Sequence, residues 1–177
     1  MTDRHSAAPA PGESDFHEAI ARRGDHWYAV CLRITRSPEL AGDAMQEALL
    51  SAWRKRDQFQ GGARLETWIH RIAVNSALSL VRRQHPERWA VLDSEPGGDG
   101  PAPDTTLEHL ELDGQLQRAL GALSDTERVC FVLRHLEQWR LAEIAQELGT
   151  SLGTVKQAVF RAVKKLRVGM ADLRSAS

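Results

Sequence analysis

The stretch LAEIAQELGTSLGTVKQAVFRAVKKLR, residues 141–167, contains two helical apolar patterns separated by a glycine. Leu141, Ile144 and Leu148 recur at helical spacing, and Gly149 follows where a helix commonly ends in a left-handed residue. Ser151 can cap a second helix, whose apolar side chains follow one face. The stretch therefore predicts a helix-turn-helix, the motif that places its second helix in the major groove of DNA.

The polar side of that second helix is basic or neutral, because no acidic residue occurs between Glu147 and Asp172. Donors without carboxylates suit base edges and phosphates. A solvated basic face is the plainer alternative, but the preceding helix and tight turn favour DNA binding. The polar residues expected to point away from the core are Lys156, Gln157, Arg161, Lys164 and Lys165.

Composition limits the class of protein. The 177 residues carry a net charge of −1, and no apolar run approaches the length that spans a membrane. The first residues lack the apolar core of a secretory signal, so we expect a cytoplasmic protein without membrane insertion. Cys31 and Cys130 lie far apart and are expected to be buried. Catalytic motifs are absent and the histidines are scattered, which predicts no enzyme, no cofactor and no metal.

The chain divides into two helical blocks, and no segment alternates like a strand. The Ser37-Pro-Glu start signal predicts a helix to about residue 56, and the Gly61-Gly62 break precedes another at about 65–84. Ser124 and Glu127 form a capping box for a helix to about residue 136. The expected fold is all-α, with two small helical domains. The predicted divisions are a disordered tail at 1–14, a first domain at 15–90, a flexible acidic linker at 91–112 and a second domain at 113–172.

Two motif sets carry a family resemblance. Glu127-Arg128, Glu143-Ile-Ala145 and Gly153-Thr-Val-Lys156 resemble domain 4 of bacterial sigma factors. Asp43-Ala-Met-Gln-Glu47 and Thr67-Trp-Ile-His-Arg-Ile-Ala-Val-Asn75 resemble domain 2 of the extracytoplasmic-function (ECF) group of the sigma-70 family. The resemblance implies a factor that binds core RNA polymerase, directs it to promoters through the minus-10 and minus-35 elements, and opens the DNA.

The resemblance also implies where polymerase binds. Asp43, Gln46, Glu47 and Leu50 share one face of the 38–56 helix, at positions i, i+3, i+4 and i+7. In the family the matching face docks on a coiled coil of the largest polymerase subunit, and the flap region is a further expected contact. Without the family match, a solvated acidic face would be the simpler interpretation.

The 65–84 helix matches the segment that recognises the minus-10 element. Trp68, Arg71 and Asn75 lie at i, i+3 and i+7, where stacking, phosphate neutralisation and base hydrogen bonds can hold an unstacked base. Asn75 is assigned to base capture, and Arg82 and Arg83 to the adjoining pocket. For Trp68 itself, a place in the apolar core is the favoured interpretation, since it lies on the apolar stripe.

The helix from residue 152 matches the segment that recognises the minus-35 element. Lys156, Gln157, Phe160 and Arg161 fall at the family's major-groove positions, and Lys164 and Lys165 could meet phosphates. Phe160 is given two equal interpretations, packing inside the domain or touching a thymine methyl or sugar. Leu78 and Ala158 stand where the family often has polar or basic residues.

Two other classes of protein stay open from the sequence. One is a helix-turn-helix regulator with a helical sensing or dimerisation domain, and the other is an adaptor that mimics a sigma factor and sequesters a regulator. The regulator class gives Gln46, Trp68 and Asn75 no reason to occur together, which favours the sigma factor. Relatives are commonly held by an anti-sigma factor, so such a protein is an expected partner besides polymerase and promoter DNA.

Overall fold

The computed structural model describes residues 9–90 and 114–175, and throughout those residues the regular structure is helical. The predicted all-α fold is confirmed for this part of the chain. The predicted linker at 91–112 lies outside the described residues. The chain forms two compact units, Met1–Leu80 and Val81–Ser177, so the units divide ten residues earlier than the predicted end of the first domain at residue 90.

The first unit begins with helix α1, Glu13–Thr35. Its first two residues lie inside the tail that was predicted to be disordered, and the prediction is wrong at this point. The Asp15 carboxylate accepts a hydrogen bond from the Gly12 amide at 2.7 Å, and Phe16 is buried one position later. A satisfied first turn and an apolar anchor thus start the helix at Glu13.

Helix α2, Pro38–Arg54, packs against α1 through a row of alanines. The Ser37 hydroxyl accepts from the Leu40 amide at 3.3 Å, which confirms the predicted start signal. The helix ends two residues before the predicted position, and a 3₁₀ turn follows at Arg56–Gln58. The buried alanines recur every three or four residues and are Ala41, Ala44, Ala48 and Ala52. Because their side chains are single methyl groups, the two helices can approach closely.

Helix α3, Leu65–Gln84, completes the first unit and extends into the second. Its inward face includes Ile69, Ala73 and Ala77, all buried. The Cys31 thiol of α1 lies 3.6 Å from the Ala73 carbonyl oxygen, its acceptor. This face fixes the direction in which the remaining side chains of α3 point.

The second unit contains the short helix α4, Pro86–Ala90, then α5, Gly114–Leu120, and α6, Asp125–Phe131. The predicted capping box of α6 is confirmed by reciprocal bonds between Ser124 and Glu127, at 3.1 and 3.2 Å. The helix was predicted to continue to about residue 136. Helical structure does reach Leu136, but its last turn, Val132–Leu136, is a π-helix and not an α-helix. The Glu137 amide donates to the carbonyl of Val132, five residues earlier, at 3.0 Å.

The helix-turn-helix is formed by α7, Leu141–Leu148, and α8, Leu152–Ser175. Gly149 has φ 63° and ψ 34°, and the Ser151 hydroxyl accepts from the Thr154 amide at 3.1 Å, so both predicted signals of the turn are confirmed. The apolar face of α8 is buried in the unit, where α8 packs against α6 and α7. Its buried residues include Val155, Val159, Val163 and Leu166.

Candidate nucleic-acid and protein interfaces

The outer face of α2 presents all four side chains that were predicted to bind a partner helix. Asp43, Gln46, Glu47 and Leu50 are exposed, opposite the buried alanines. Leu50 is 50% exposed and lies one turn before the exposed Trp53, so this face carries more than a single scattered apolar side chain. An apolar side chain surrounded by polar groups suits a helix-on-helix interface better than a purely solvated face.

Trp53 continues that face three residues beyond Leu50, and the sequence reasoning assigned it no role. It is 38% exposed, and its ring meets Phe16 edge to face at 5.2 Å between centroids. The Arg56 guanidinium lies 4.2 Å from the centroid of the Trp53 ring, in a cation–π arrangement. An exposed tryptophan held by two neighbours is a preorganised contact, and its spacing of three from Leu50 was the available signal.

The candidate residues of α3 differ in exposure. Trp68 is half-buried beside Phe59, with ring centroids 5.4 Å apart and planes tilted by 50°. It is therefore neither a fully buried core residue nor an open stacking surface. Arg71 is exposed, whereas Asn75 is half-buried. The Asn75 Oδ1 is covered by protein, and no donor among the described residues reaches it.

Two departures from the family pattern lie in the core. Leu78 is 1% exposed on α3 and Ala158 is 6% exposed on α8. Side chains buried in this way contact neither solvent nor DNA. Their apolar character is therefore explained by packing and leaves the outward-facing candidates unaffected.

Arg82 is engaged within the second unit. Its guanidinium donates to the backbone carbonyl of Glu147 in the last turn of α7 and lies 5.9 Å from the Trp89 ring centroid. A cation at a helix carboxyl end meets unsatisfied carbonyls and the negative end of the helix dipole. Arg83 is exposed. The two arginines thus have different surroundings, although both were predicted to belong to the same pocket.

Asp125 joins α4 to α6. Its carboxylate oxygens lie 2.8 Å from an Arg88 nitrogen and 2.9 Å from an Arg128 nitrogen. Burial raises the pKa of Asp125, but the hydrogen bonds and charges of the two arginines outweigh burial, and the pKa is lowered overall. The ionised carboxylate therefore holds the short helix against the domain.

The outer side of α8 carries the candidate contacts for the upstream promoter element. Lys156 and Gln157 are half-buried, and Arg161 and Lys164 are exposed. Phe160 is 44% exposed, so the interpretation that it packs inside the domain is wrong, and contact with a thymine methyl or sugar stays a prediction. The Arg161 guanidinium donates to the Gln157 Oε1 at 3.2 Å.

Lys165 has a partner inside the second unit, contrary to what its place among the basic residues suggested. Its Nζ lies 2.7 and 3.0 Å from the two carboxylate oxygens of Glu127, which is 7% exposed. The same carboxylate closes the α6 capping box. Lys165 therefore neutralises a buried acid and connects α6 to α8, and phosphate binding by this side chain gains no support from the geometry.

Both cysteines are buried and outside disulfides, as expected. Burial raises the pKa of the Cys130 thiol to about 12, so it stays protonated and unreactive near neutral pH. His26 and His70 were treated as isolated, yet their rings stack in the first unit with centroids 5.4 Å apart. Among the described residues, none of the helices is both long enough and apolar enough to cross a membrane.

Two protein-family models match this chain and identify the class of protein to which it belongs. The model of sigma-70 region 2 matches residues 20–87, and that of sigma-70 region 4 matches residues 113–166. The first match contains α2 and α3, and the second contains α7 and α8 as far as Leu166. The class is thus that of sigma-70 transcription initiation factors.

Individual relatives narrow the class. The ECF RNA polymerase sigma factor SigW of Bacillus subtilis is 30% identical over 175 residues, which cover 92% of each chain. SigG of Mycobacterium tuberculosis is 32% identical over 188 residues, and the match spans only half of its length. A crystal structure of the sigma factor RpoE with the anti-sigma factor NepR from Bartonella quintana has the same fold, with a TM-score of 0.59 at 24% identity, covering 89% of this chain and 98% of that one. The chain belongs to the ECF group of the sigma-70 family, whose members act in promoter-directed transcription initiation.

Proposed function

We propose that this sigma factor assigns one surface to each task of initiation: α2 to polymerase binding, α3 to the minus-10 element and α8 to the minus-35 element. The main support is that α2 and α8 each bury one face and present on the opposite face the side chains that the proposed contact requires. On α2 the set is acidic and amide groups around one leucine, and on α8 it is hydrogen-bond donors around one phenylalanine.

For polymerase binding, the proposed surface comprises Asp43, Gln46, Glu47 and Leu50, with Trp53 extending it. An apolar anchor flanked by polar groups is the usual composition of a small protein interface. The proposed partner is the coiled coil of the largest polymerase subunit, and the flap region is the proposed partner of the second domain. The residue divisions at 15–90 and 113–172 are proposed as the functional domains, because each contains one matched sigma-70 region, although the compact units divide at residue 80.

For DNA opening, the proposed residues are Trp68, Arg71 and Asn75, with Arg83 nearby. Arg82 can join them only if its bond to the Glu147 carbonyl is exchanged for one to DNA. For the upstream element, the proposed residues are Lys156, Gln157, Phe160 and Arg161, with Lys164 at phosphate. Phosphate contacts set register, and base contacts set sequence preference.

Control of the protein is proposed to come from an anti-sigma factor that covers the polymerase-binding surface. The Bartonella sigma factor was crystallised in complex with the anti-sigma factor NepR, which supports the proposal. The proposed place of action is the cytoplasm, where polymerase and chromosome are found. We further propose that this chain has no catalytic activity of its own, because the polymerase supplies the chemistry of RNA synthesis.

The test of the function is run-off transcription with purified core polymerase and a cognate promoter. A transcript that depends on both the full chain and the promoter sequence is expected. Binding of the chain alone to isolated duplex DNA, with no promoter-dependent transcript, would instead favour the helix-turn-helix regulator.

The test of the α2 surface compares two exposed leucines. Leu50→Ala is expected to weaken affinity for core polymerase about tenfold, because truncating an interface anchor costs more than 1 kcal/mol. Leu152→Ala, which truncates a leucine that is 43% exposed on α8, is the matched control and should leave that affinity unchanged. Equal affinities for the two variants and the unchanged protein would remove α2 from the interface.

A further inference from the structure

The last turn of α3 and the helix α4 lie where two boundaries disagree. The sigma-70 region 2 match runs to residue 87, yet the compact second unit already begins at Val81. The Val81 side chain is buried, with 4% exposure. Residues 81–87 therefore belong to region 2 by sequence and to the unit of the helix-turn-helix by packing.

Two polar contacts hold this segment in the second unit. The Arg82 guanidinium donates to the Glu147 carbonyl in the last turn of α7, where carbonyls lack partners inside the helix. The Arg88 guanidinium lies 2.8 Å from a carboxylate oxygen of Asp125 on α6. We call these two contacts the clasp. One of its members, Arg82, is also a predicted residue of the minus-10 pocket.

The clasp is weak enough to open. Arg88 is exposed, and solvent and salt screen an exposed ion pair. Trp89 lies beside the Arg82 guanidinium, and its indole N–H is buried without an acceptor among the described residues. An unsatisfied buried donor costs free energy, so the closed segment is less stable than its contacts alone suggest. Opening breaks few favourable contacts.

The clasp conflicts with simultaneous binding of the two promoter elements. The minus-10 and minus-35 elements are about 25 base pairs apart, which is roughly 85 Å of duplex at about 3.4 Å for each base pair. Helix α3 has 20 residues and is only about 30 Å long. While Arg82 bonds α3 to α7, α3 cannot reach the minus-10 element if α8 occupies the minus-35 element.

We propose that the clasp is an autoinhibitory contact. The free chain keeps Arg82 on the unit of the helix-turn-helix, and engagement of both promoter elements requires the clasp to open. Opening also frees the Arg82 guanidinium for the minus-10 pocket. The proposal rests on the proposed roles of α3 and α8. It adds the contact that prevents the two helices from acting together, and the residues that form it.

The first measurement follows the clasp in the full chain. Spin labels are attached to Gln84→Cys on α3 and Gln146→Cys on α7, two exposed positions beside the clasp, and the native cysteines are buried. Pulsed electron paramagnetic resonance should give a short distance in the free chain and a long one in the complex with core polymerase and promoter. Arg88→Ala should move part of the free chain to the long distance. Arg23→Ala, which removes an exposed arginine of α1, is the matched control and should not.

The second measurement is open-complex formation with core polymerase, at a concentration of the chain below saturation. Arg88→Ala should increase it by up to about fivefold, because only the open fraction binds both elements and one exposed ion pair shifts that fraction by no more than about this factor. Arg23→Ala should leave it unchanged. Asp125 keeps its contact with Arg128 in the variant, so the thermal melt should match that of the unchanged protein.

A short distance that persists in the promoter complex would overturn the proposal. An Arg88→Ala variant that keeps the short distance in the free chain, or that opens promoters no better than the unchanged protein, would overturn it as well. The absence of any promoter-dependent transcript from the unchanged protein would overturn the proposed function instead. The distance in the free chain would then still decide whether Arg88 holds the segment in place.

Discussion

The two helices assigned to DNA, α3 and α8, present their candidate side chains differently. On α8, Phe160 is 44% exposed and Arg161 and Lys164 are exposed. On α3, Trp68 is half-buried against Phe59 and the Asn75 oxygen is covered. The first surface can meet duplex DNA as it stands, whereas the second has to rearrange locally before a base can reach it. The difference fits the tasks proposed for them, because in that proposal the upstream element stays paired and the downstream element is opened.

The largest expected effect concerns how firmly α8 is held. Glu127→Ala removes a buried acid that pairs with Lys165 and closes the α6 capping box, and should lower the free energy of unfolding by about 2 kcal/mol. Glu127→Gln keeps an acceptor for the box and should cost less. Urea unfolding followed by circular dichroism measures both.

A double-mutant cycle with Lys165→Ala separates the ion pair from the capping box. A coupling energy clearly above zero is expected for two groups in direct contact. Additive effects would mean that Lys165 contributes nothing through Glu127, and would return this lysine to the residues available for DNA.

The next effect concerns α3. Asn75→Ala should reduce open-complex formation about tenfold, since a lost base contact costs roughly 1–3 kcal/mol. It should leave protein stability nearly unchanged, because the side-chain oxygen it removes is a buried acceptor with no hydrogen-bond donor among the described residues. Permanganate reactivity of promoter thymines measures opening, and a thermal melt measures stability. A variant that opens DNA normally, or that unfolds much more easily, contradicts the assignment to base capture.

A third effect is a pH dependence in the turn that precedes the helix-turn-helix. Burial lowers the pKa of His135, and the charge of Arg134 lowers it further. A lowered histidine pKa gives stability that is complete above the ordinary value of about 6.5 and is lost as the pH falls towards the folded value. His135→Leu should flatten the dependence of the urea midpoint on pH in that window. The exposed His17→Gln is the matched control and should keep it.

The smallest effects test backbone conformation on either side of α7. Gln138 has φ 60°, so Gln138→Gly should stabilise the protein by about 0.5 kcal/mol, the relief of a left-handed side chain less the added chain entropy. Gly149 has φ 63° with open space around it, so Gly149→Ala should destabilise by about 1 kcal/mol through conformation alone. Opposite signs in thermal melts are expected, and equal signs would contradict the argument.

The sequence predicted the parts of the fold that depend on local signals. The helix starts at Ser37, Ser124 and Ser151 and the end at Gly149 each need one side chain and its near neighbours, and all four are confirmed. The π-turn at Val132–Leu136 was not predicted. One wider turn is too short to produce an apolar period of its own in the sequence.

The candidate site was less accessible to sequence reasoning. Spacing placed Asp43 and Leu50 on one exposed face, but it could not show that Lys165 reaches Glu127, 38 residues away in the chain. It also left Phe160 undecided, since an aromatic residue beside an apolar stripe can turn either way. Exposure and pairing depend on tertiary packing, which periodicity does not encode.

The row of buried alanines on α2 means that the two faces of this helix differ in how much substitution they tolerate. Any larger side chain at Ala44 or Ala48 would have to push the helices apart, so the buried half of α2 tolerates little change. The outer half, around Leu50, touches little of the fold and is free to vary with its partner. If α2 has the proposed role in polymerase binding, polymerase preference can be redesigned there by surface substitutions alone, with the hydrophobic core left as it is.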